Sequence, residues 1–322
     1  MIAMAIHGRV FISAMQRVFS ARLAVFLGHL LAAIVVGCRP PGAALANELS
    51  RDPSRDSAAA ARTAFQQGIA QIQSQQLDPA IQHFRTAIAL DPKLAPAHYN
   101  LGLALRQKGD LQGSATAFYQ AIQSEPQWPI AYANLGAALL EGGNFPQAQE
   151  YLQRAVELDP KIGLSHYNLG LAYEYQQQWA KAAKSLETAS QISTKAPEVF
   201  YHLGLVYQQQ NRLPEATTAF QRAIALRPTH TEALYNLGAL YFAQNQVENA
   251  IAAFQQALKA NPNHANAHYA IGLAYHRQQN LPAAQQSLQQ AQKLYIQQRD
   301  AAAIQATQTW LDRVATSSTP SR

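Results

Sequence analysis

The chain has 322 residues, of which 48% are hydrophobic and 14% are charged, and its single cysteine excludes an intrachain disulfide and a thiolate metal cluster. Its formal net charge of +6 is concentrated at the start, because residues 1–46 hold four arginines and no acidic residue. Without those four, 21 of the 25 Lys and Arg remain against 19 acidic residues, and no basic stripe of the kind that binds nucleic acid is present.

Residues 1–46 have the features of an export signal. The apolar run 23–36, LAVFLGHLLAAIVV, has 14 residues, which is fewer than the roughly 20 that span a bilayer. It follows Arg9, Arg17 and Arg22, and a basic start before a short apolar core is typical of a signal peptide. A start at Met15 would give this signal a more typical length.

Two processing sites follow the apolar run. Val35-Val36-Gly37-Cys38 resembles a bacterial lipobox, in which Cys38 becomes a lipid-modified N-terminus. The segment 44–46, Ala-Leu-Ala, fits ordinary cleavage before Asn47, and an uncleaved anchor is the third alternative. We therefore predict an exported protein, either a membrane-anchored lipoprotein or a periplasmic one. The polar residues 47–60 are expected to form a flexible tether.

A fixed period of 34 residues organises the next part of the chain. Glycine recurs at this interval, usually within Asn-Leu-Gly: Gly68, Gly102, Gly136, Gly170, Gly204, Gly238, Gly272. An alanine row from Ala87 to Ala291 and a row of large apolar residues from Phe84 to Leu288 keep the same step. Such a period is typical of a repeat protein. Counting back from the periodic prolines places the repeat starts at Ala61, Ala95, Pro129, Gly163, Pro197, Thr231 and Ala265.

Each repeat is predicted to form two helices joined by a short turn. In residues 231–264, apolar residues recur at three- and four-residue steps in both halves, on either side of the polar run 244–246. Pro262 ends the second helix, because the residue before a proline is pushed out of helical geometry. The glycine lies inside the first helix, where it costs about 0.5–1 kcal/mol relative to alanine. We therefore expect a close approach of the second helix, with the alanine row as the small surface opposite.

The pattern Leu-Gly, aromatic, Ala, Phe, Ala, Pro resembles the tetratricopeptide repeat over residues 61–296. The tryptophan that this family usually has early in the first helix is replaced by His98, Tyr132, His166, Phe200, Leu234 and His268. The resemblance implies an all-α fold, a right-handed α-solenoid of seven helix-turn-helix repeats whose first helices line a concave groove. In residues 297–322 we expect a capping helix over 298–315, because the last repeat must cover its apolar edge, and then a loose tail.

The resemblance places two rows of side chains in the groove. The asparagine row is Asn100, Asn134, Asn168, His202 and Asn236, and the tyrosine row is Tyr99, Tyr167, Tyr201, Tyr235 and Tyr269. An asparagine amide carries both donors and an acceptor, so the first row could pair with the backbone of an extended peptide. The tyrosines would contact the side chains of that peptide. The alternative is that the asparagines only tie neighbouring helices together.

We therefore predict a scaffold without enzymatic activity or cofactor, which binds a peptide segment or helix of another protein. Two narrower roles fit an exported repeat protein: an assembly factor for a membrane or photosynthetic complex, and an envelope adaptor that recruits cell-wall enzymes. A remote alternative is a metal site through His230, His264 and His268. No cysteine or zinc-protease glutamate completes it, so we expect these histidines to be structural.

Overall fold

The computed structural model describes residues 53–317, so the predicted export segment, including Cys38 and both processing sites, lies outside the described residues. This part of the chain forms fifteen helices and no strand. In chain order they are α1 (Pro53–Gln73), α2 (Leu77–Leu90), α3 (Ala95–Lys108), α4 (Leu111–Ser124), α5 (Pro129–Glu141), α6 (Phe145–Leu158), α7 (Gly163–Tyr175), α8 (Trp179–Ile192), α9 (Pro197–Gln209), α10 (Leu213–Leu226), α11 (Thr231–Ala243), α12 (Val247–Ala260), α13 (Ala265–Arg277), α14 (Leu281–Gln298) and α15 (Ala301–Ser317). The predicted all-α class of helix-turn-helix repeats is confirmed.

The described helices belong to two compact units that divide between Ala172 and Tyr173, inside α7. In the first unit, α2 packs between α1 and α3, and α4 packs between α3 and α5, which also contacts α6. In the second unit, α10 packs between α9 and α11, α12 between α11 and α13, and α14 between α13 and α15. Within each unit a helix therefore packs against its neighbours in the sequence, as in a repeat array.

The first helix begins at Pro53, so residues 53–60, which the sequence analysis assigns to a tether, are helical. Four consecutive alanines, residues 58–61, favour this extension because alanine is the best helix former. The Ser57 hydroxyl donates a hydrogen bond to the Leu90 carbonyl oxygen at the end of α2, at 2.8 Å. The start of α1 is therefore attached to the first repeat.

The repeated glycines permit a close approach of the two helices in each repeat, as predicted. A Cβ atom added to Gly102 would lie 2.8 Å from Cδ1 of Phe118, a distance that real Cβ atoms do not show. The predicted partner was wrong, because the opposing side chain comes from the large apolar row and not from the alanine row. Ala121 is fully buried and packs instead with Ala131 and Leu135 of the next first helix.

The last helix, α15, covers the end of the final repeat. Val314 is fully buried and packs with Ala284 and Leu288, with Trp310 partly buried beside them. Ala301 at the start of α15 is exposed, and Thr307 is fully buried. The Thr307 hydroxyl donates to the Ala303 carbonyl oxygen at 2.6 Å, so its burial leaves no unpaired donor. Among the helices from 53 to 317, none is both long and apolar enough to cross a bilayer.

Candidate functional site

Three members of the asparagine row form the same type of hydrogen bond. The Nδ2 group of each donates to the carbonyl oxygen four residues earlier in its own helix: Asn100 to Pro96 at 2.8 Å, Asn134 to Ile130 at 3.0 Å, and Asn236 to Glu232 at 2.8 Å. This bond holds the amide in one orientation and leaves Oδ1 and the second N–H for other partners. The surroundings of these groups then decide what each asparagine can do.

In the first unit, Asn134 is fully engaged. Its Nδ2 also donates to the hydroxyl of Tyr99 at 3.0 Å, and its Oδ1 accepts from the Arg106 guanidinium at 3.3 Å. Arg106 in turn pairs with Glu141. Asn134 therefore ties α3 to α5, which is the structural alternative stated above, and it has no N–H left for a ligand.

Tyr99 is part of the same contact between α3 and α5 and does not lie on an open surface. Its ring is buried, 4.6 Å from the ring of Trp128 and 5.5 Å from that of Phe118 between centroids. Burial raises the pKa of Tyr99 to about 12, opposed by the positive charge of Arg106. The hydroxyl is therefore neutral at physiological pH and is occupied by Asn134. Elsewhere in the first unit, Asn168 is buried, and Asn100 and Tyr167 are partly buried.

In the second unit, Asn236 has a different environment. It is only 4% exposed, and its Oδ1 accepts a hydrogen bond from no group in the part of the chain that the structure describes. A buried acceptor without a donor costs about 1–3 kcal/mol. Asn236 therefore presents an oriented acceptor whose partner is missing.

A constant spacing explains why Asn236 differs. Arg106 reaches Asn134, and Glu174 reaches His202, and in both pairs the partners are 28 residues apart on consecutive first helices. The corresponding position for Asn236 is Gln208, which does not donate to the Asn236 oxygen. The second unit therefore has no charged residue at the position from which Arg106 contacts Asn134 in the first unit.

His202 takes the place of asparagine in this row and forms a buried polar pair. Its Nδ1 lies 2.9 Å from Oε2 of Glu174, whose side chain is almost fully buried. Nearby, burial and then the charge of Glu174 raise the pKa of Tyr175. Glu174 was not among the residues predicted from the sequence, and the 28-residue spacing to His202 is the signal that could have indicated it.

Two tyrosines of the second unit pack against histidine rings, one tilted and one stacked. Tyr201 lies 4.9 Å from His230, and Tyr235 lies 5.1 Å from His264, between ring centroids. Burial raises the pKa of Tyr235 to about 12, with a smaller contribution from Tyr269. Tyr269 itself packs edge-on against Tyr295 at 6.5 Å. The rings of Tyr201 and Tyr235 are therefore fixed before any ligand binds.

The three histidines proposed for the remote metal alternative are each within hydrogen-bond distance of a backbone group. His230 and His264 cap α11 and α13, since the Nδ1 atoms accept from the backbone N–H of Ala233 and Ala267. His268 Nε2 lies 2.9 Å from the Pro262 carbonyl oxygen. Between residues 53 and 317, no group of three or more His, Cys, Asp or Glu comes together that could hold a metal ion.

The paired helices, the glycine contacts and the tied asparagines define a class of helical repeat protein whose surfaces bind other proteins. The family model described as "Cilia and flagella-associated protein 70 C-terminal domain" matches residues 129–308, more than half of the chain. Two further models, described as "TPR repeat" and "Tetratricopeptide repeat", match residues 68–109 and 95–127. The chain belongs to the tetratricopeptide-repeat family.

Solved structures support the same fold. The chain is similar to YrrB, titled "a TPR protein with an unusual peptide-binding site", with 25% identity, a TM-score of 0.52, and coverage of 61% of this chain and 99% of that one. A tetratricopeptide repeat protein from Parabacteroides merdae is 16% identical, with a TM-score of 0.59 over 78% of this chain and 99% of that one. The chain is also similar to pilF of Pseudomonas aeruginosa, with 20% identity, a TM-score of 0.59, and coverage of 67% of this chain and 96% of that one. No curated protein matches the sequence.

Proposed function

We propose that this protein is a scaffold that binds an extended peptide segment of a partner protein along the first helices of residues 173–317, with Asn236 as the central backbone contact. The tetratricopeptide fold is suited to protein–protein interaction. The observation that carries the narrower proposal is the buried Oδ1 of Asn236, which has no donor among the described residues. A backbone N–H of a bound peptide would supply that donor after the side chains that cover the oxygen shift aside.

The surroundings of Asn236 support a peptide rather than a single ion. The bond from its Nδ2 to the Glu232 carbonyl oxygen orients the amide before binding, so little entropy is lost when a peptide docks. Tyr201 and Tyr235, held by packing against histidine rings, offer rigid aromatic surfaces for the side chains of the peptide. The similarity to YrrB, described as having an unusual peptide-binding site, adds support.

The test is peptide binding by a matched pair of variants. Peptides selected from a phage-displayed random library on the purified protein would be measured by calorimetry against Asn236→Ala and Asn134→Ala. Loss of one buried backbone hydrogen bond predicts about tenfold weaker binding for Asn236→Ala. Asn134→Ala should bind normally while melting at a lower temperature, because Asn134 is a tie between α3 and α5.

A third variant tests the spacing argument. In the first unit, Arg106 donates a hydrogen bond to Oδ1 of Asn134. Gln208→Arg places an arginine at the equivalent position of the second unit. This variant should therefore weaken peptide binding without unfolding the protein. Unchanged affinity in Asn236→Ala, with circular dichroism like that of the wild type, would remove Asn236 from the proposed site.

We also propose that the protein is exported and tethered to a membrane through Cys38. This proposal rests on the basic start, the apolar run and the lipobox-like segment of residues 1–46. The intact mass of the mature protein from its native membrane fraction should fit a lipid-modified chain that begins at Cys38. A Cys38→Ala variant should lose this mass. A chain that begins at Asn47 would contradict the lipid tether but keep export, and an unprocessed chain would contradict both.

A further inference from the structure

A cavity of about 410 Å³ lies between α10 and α12 of the second unit, and the asparagine row does not line it. Its floor is apolar and buried, and it is formed by Leu234, Leu237 and Ala253. Amide side chains and one hydroxyl surround this floor: Gln221, Asn249, Gln256 and Tyr241. None of the lining residues is charged, so the cavity suits an uncharged ligand that is largely apolar and has a polar end.

The first unit has larger side chains at three equivalent positions. Three repeats before Gln221, Leu234 and Ala253 the chain has Tyr119, Tyr132 and Tyr151. The rings of Tyr132 and Tyr151 lie 6.3 Å apart between centroids. Burial, followed by the neighbouring Tyr119, raises the pKa of Tyr151, and the Tyr119 side chain is itself 40% exposed. The equivalent positions therefore hold three tyrosines in the first unit, two of them a ring pair, and smaller side chains around an open cavity in the second.

Helices α11 and α12, which line the cavity together with α10, are held at a fixed spacing by a glycine contact. In the second unit a Cβ atom on Gly238 would lie 2.7 Å from Phe254, so α11 and α12 are already in the closest contact that the backbone permits. The same glycine contact spaces α5 and α6, where Gly136 meets Leu152. Smaller side chains on a fixed frame leave empty volume, and atoms that line such a volume lack contact partners.

We propose that this cavity binds the tyrosine side chain of a partner protein. The apolar floor takes the ring, and the amides of Asn249 and Gln256 offer hydrogen bonds to the hydroxyl. Gln221 already donates to the Tyr241 hydroxyl at 3.0 Å, which holds one wall of the rim in place. The site is independent of the proposed peptide contact at Asn236.

The experiment titrates the full chain with p-cresol, which is the tyrosine side chain as a free molecule, and follows leucine and alanine methyl signals by NMR. A ligand of roughly eight non-hydrogen atoms should bind with a dissociation constant on the order of 1 mM. The shifts should centre on Leu234, Leu237 and Ala253. Two matched probes should bind more weakly: 4-methylcyclohexanol, which lacks the flat ring, and p-toluate, which is charged.

Filling the cavity with the side chains of the first unit provides the decisive variant. Leu234→Tyr with Ala253→Tyr should weaken p-cresol binding about tenfold or more and leave the fold intact. Ala253→Tyr alone serves if the double variant does not fold, and Asn236→Ala should bind p-cresol like the wild type. The absence of saturable binding, or equal affinity in the filled variants, would overturn the proposal.

Peptides distinguish a partner's tyrosine from a free small molecule. Acetyl-Gly-Tyr-Gly-amide should perturb the same methyl groups as p-cresol, and the phenylalanine peptide should bind more weakly because it lacks the hydroxyl. Binding of p-cresol together with exclusion of the tyrosine peptide would show that the ligand is a free phenol, and this result would overturn the assignment to a protein partner.

Discussion

Replacing Gly136 with alanine is expected to destabilise the protein by about 1–3 kcal/mol, although alanine is normally the better helix former. The added Cβ would lie 2.4 Å from Cγ and 2.8 Å from Cδ2 of Leu152. Leu152 is fully buried, so its side chain cannot turn toward solvent. Overpacking therefore exceeds the gain in helix propensity, and urea unfolding should show a lower midpoint with circular dichroism that remains helical.

Gly142, at the end of the same helix, is the matched control. Its φ is −76°, and a Cβ there would meet the Ala138 carbonyl oxygen at 3.4 Å, which is an ordinary contact. Gly142→Ala should therefore be neutral or stabilising by up to about 1 kcal/mol. Adding Leu152→Ala to Gly136→Ala should cost less than the sum of the two single substitutions, because the smaller side chain leaves room for the new methyl group. Equal stability of Gly136→Ala and wild type would show that the glycine has no steric role.

The sequence predicted the repeat well because the signals were local and repeated. Six first helices begin at the residues counted from the prolines, from Ala95 to Ala265. The partner of the glycine could not be read in the same way, because the alanine row and the large apolar row keep the same 34-residue step. Periodicity shows that a glycine is needed but not which of two periodic rows it faces.

The turns within the repeats show another limit. Gln75, Gln177 and Gln279 have positive φ at the position where other repeats have glycine or asparagine. Glutamine rarely adopts this conformation, so residue type alone does not indicate it. The requirement comes from the packing of the two helices, which holds each turn in one geometry whatever residue occupies it.

The surroundings of the two predicted rows could not be read from the sequence. The rows were located from the resemblance, yet whether an asparagine is occupied depends on residues outside them. Arg106 closes Asn134, and Trp128 covers Tyr99, and neither belongs to the repeated pattern. Only the three-dimensional contacts separate the engaged Asn134 from Asn236, whose acceptor has no partner among residues 53–317.

The pair of Arg106 and Glu141 should give the largest single-site effect on stability. Both side chains are nearly buried, with 11% and 9% exposed, and Arg106 also donates to Oδ1 of Asn134. Arg106→Met keeps most of the apolar stem but leaves the Glu141 carboxylate without its cation. Breaking a buried ion pair from one side costs about 3–5 kcal/mol, because a buried charge is then left uncompensated. Thermal and urea unfolding of the variant measure this loss.

A double-mutant cycle separates the loss of the ion pair from the cost of leaving one buried charge without its partner. Arg106→Met with Glu141→Leu removes both charges, so the double variant should recover most of the stability that Arg106→Met loses. Lys108 and Asp78 form the matched control, since their side chains are 52% and 72% exposed, and Lys108→Met should cost less than about 1 kcal/mol. If Arg106→Met were no worse than Lys108→Met, the tie between α3 and α5 would contribute nothing measurable. Asn134 would then be as good a candidate for a ligand contact as Asn236. Only the stability of its hydrogen bonds to Tyr99 and Arg106 excludes Asn134 from binding a ligand.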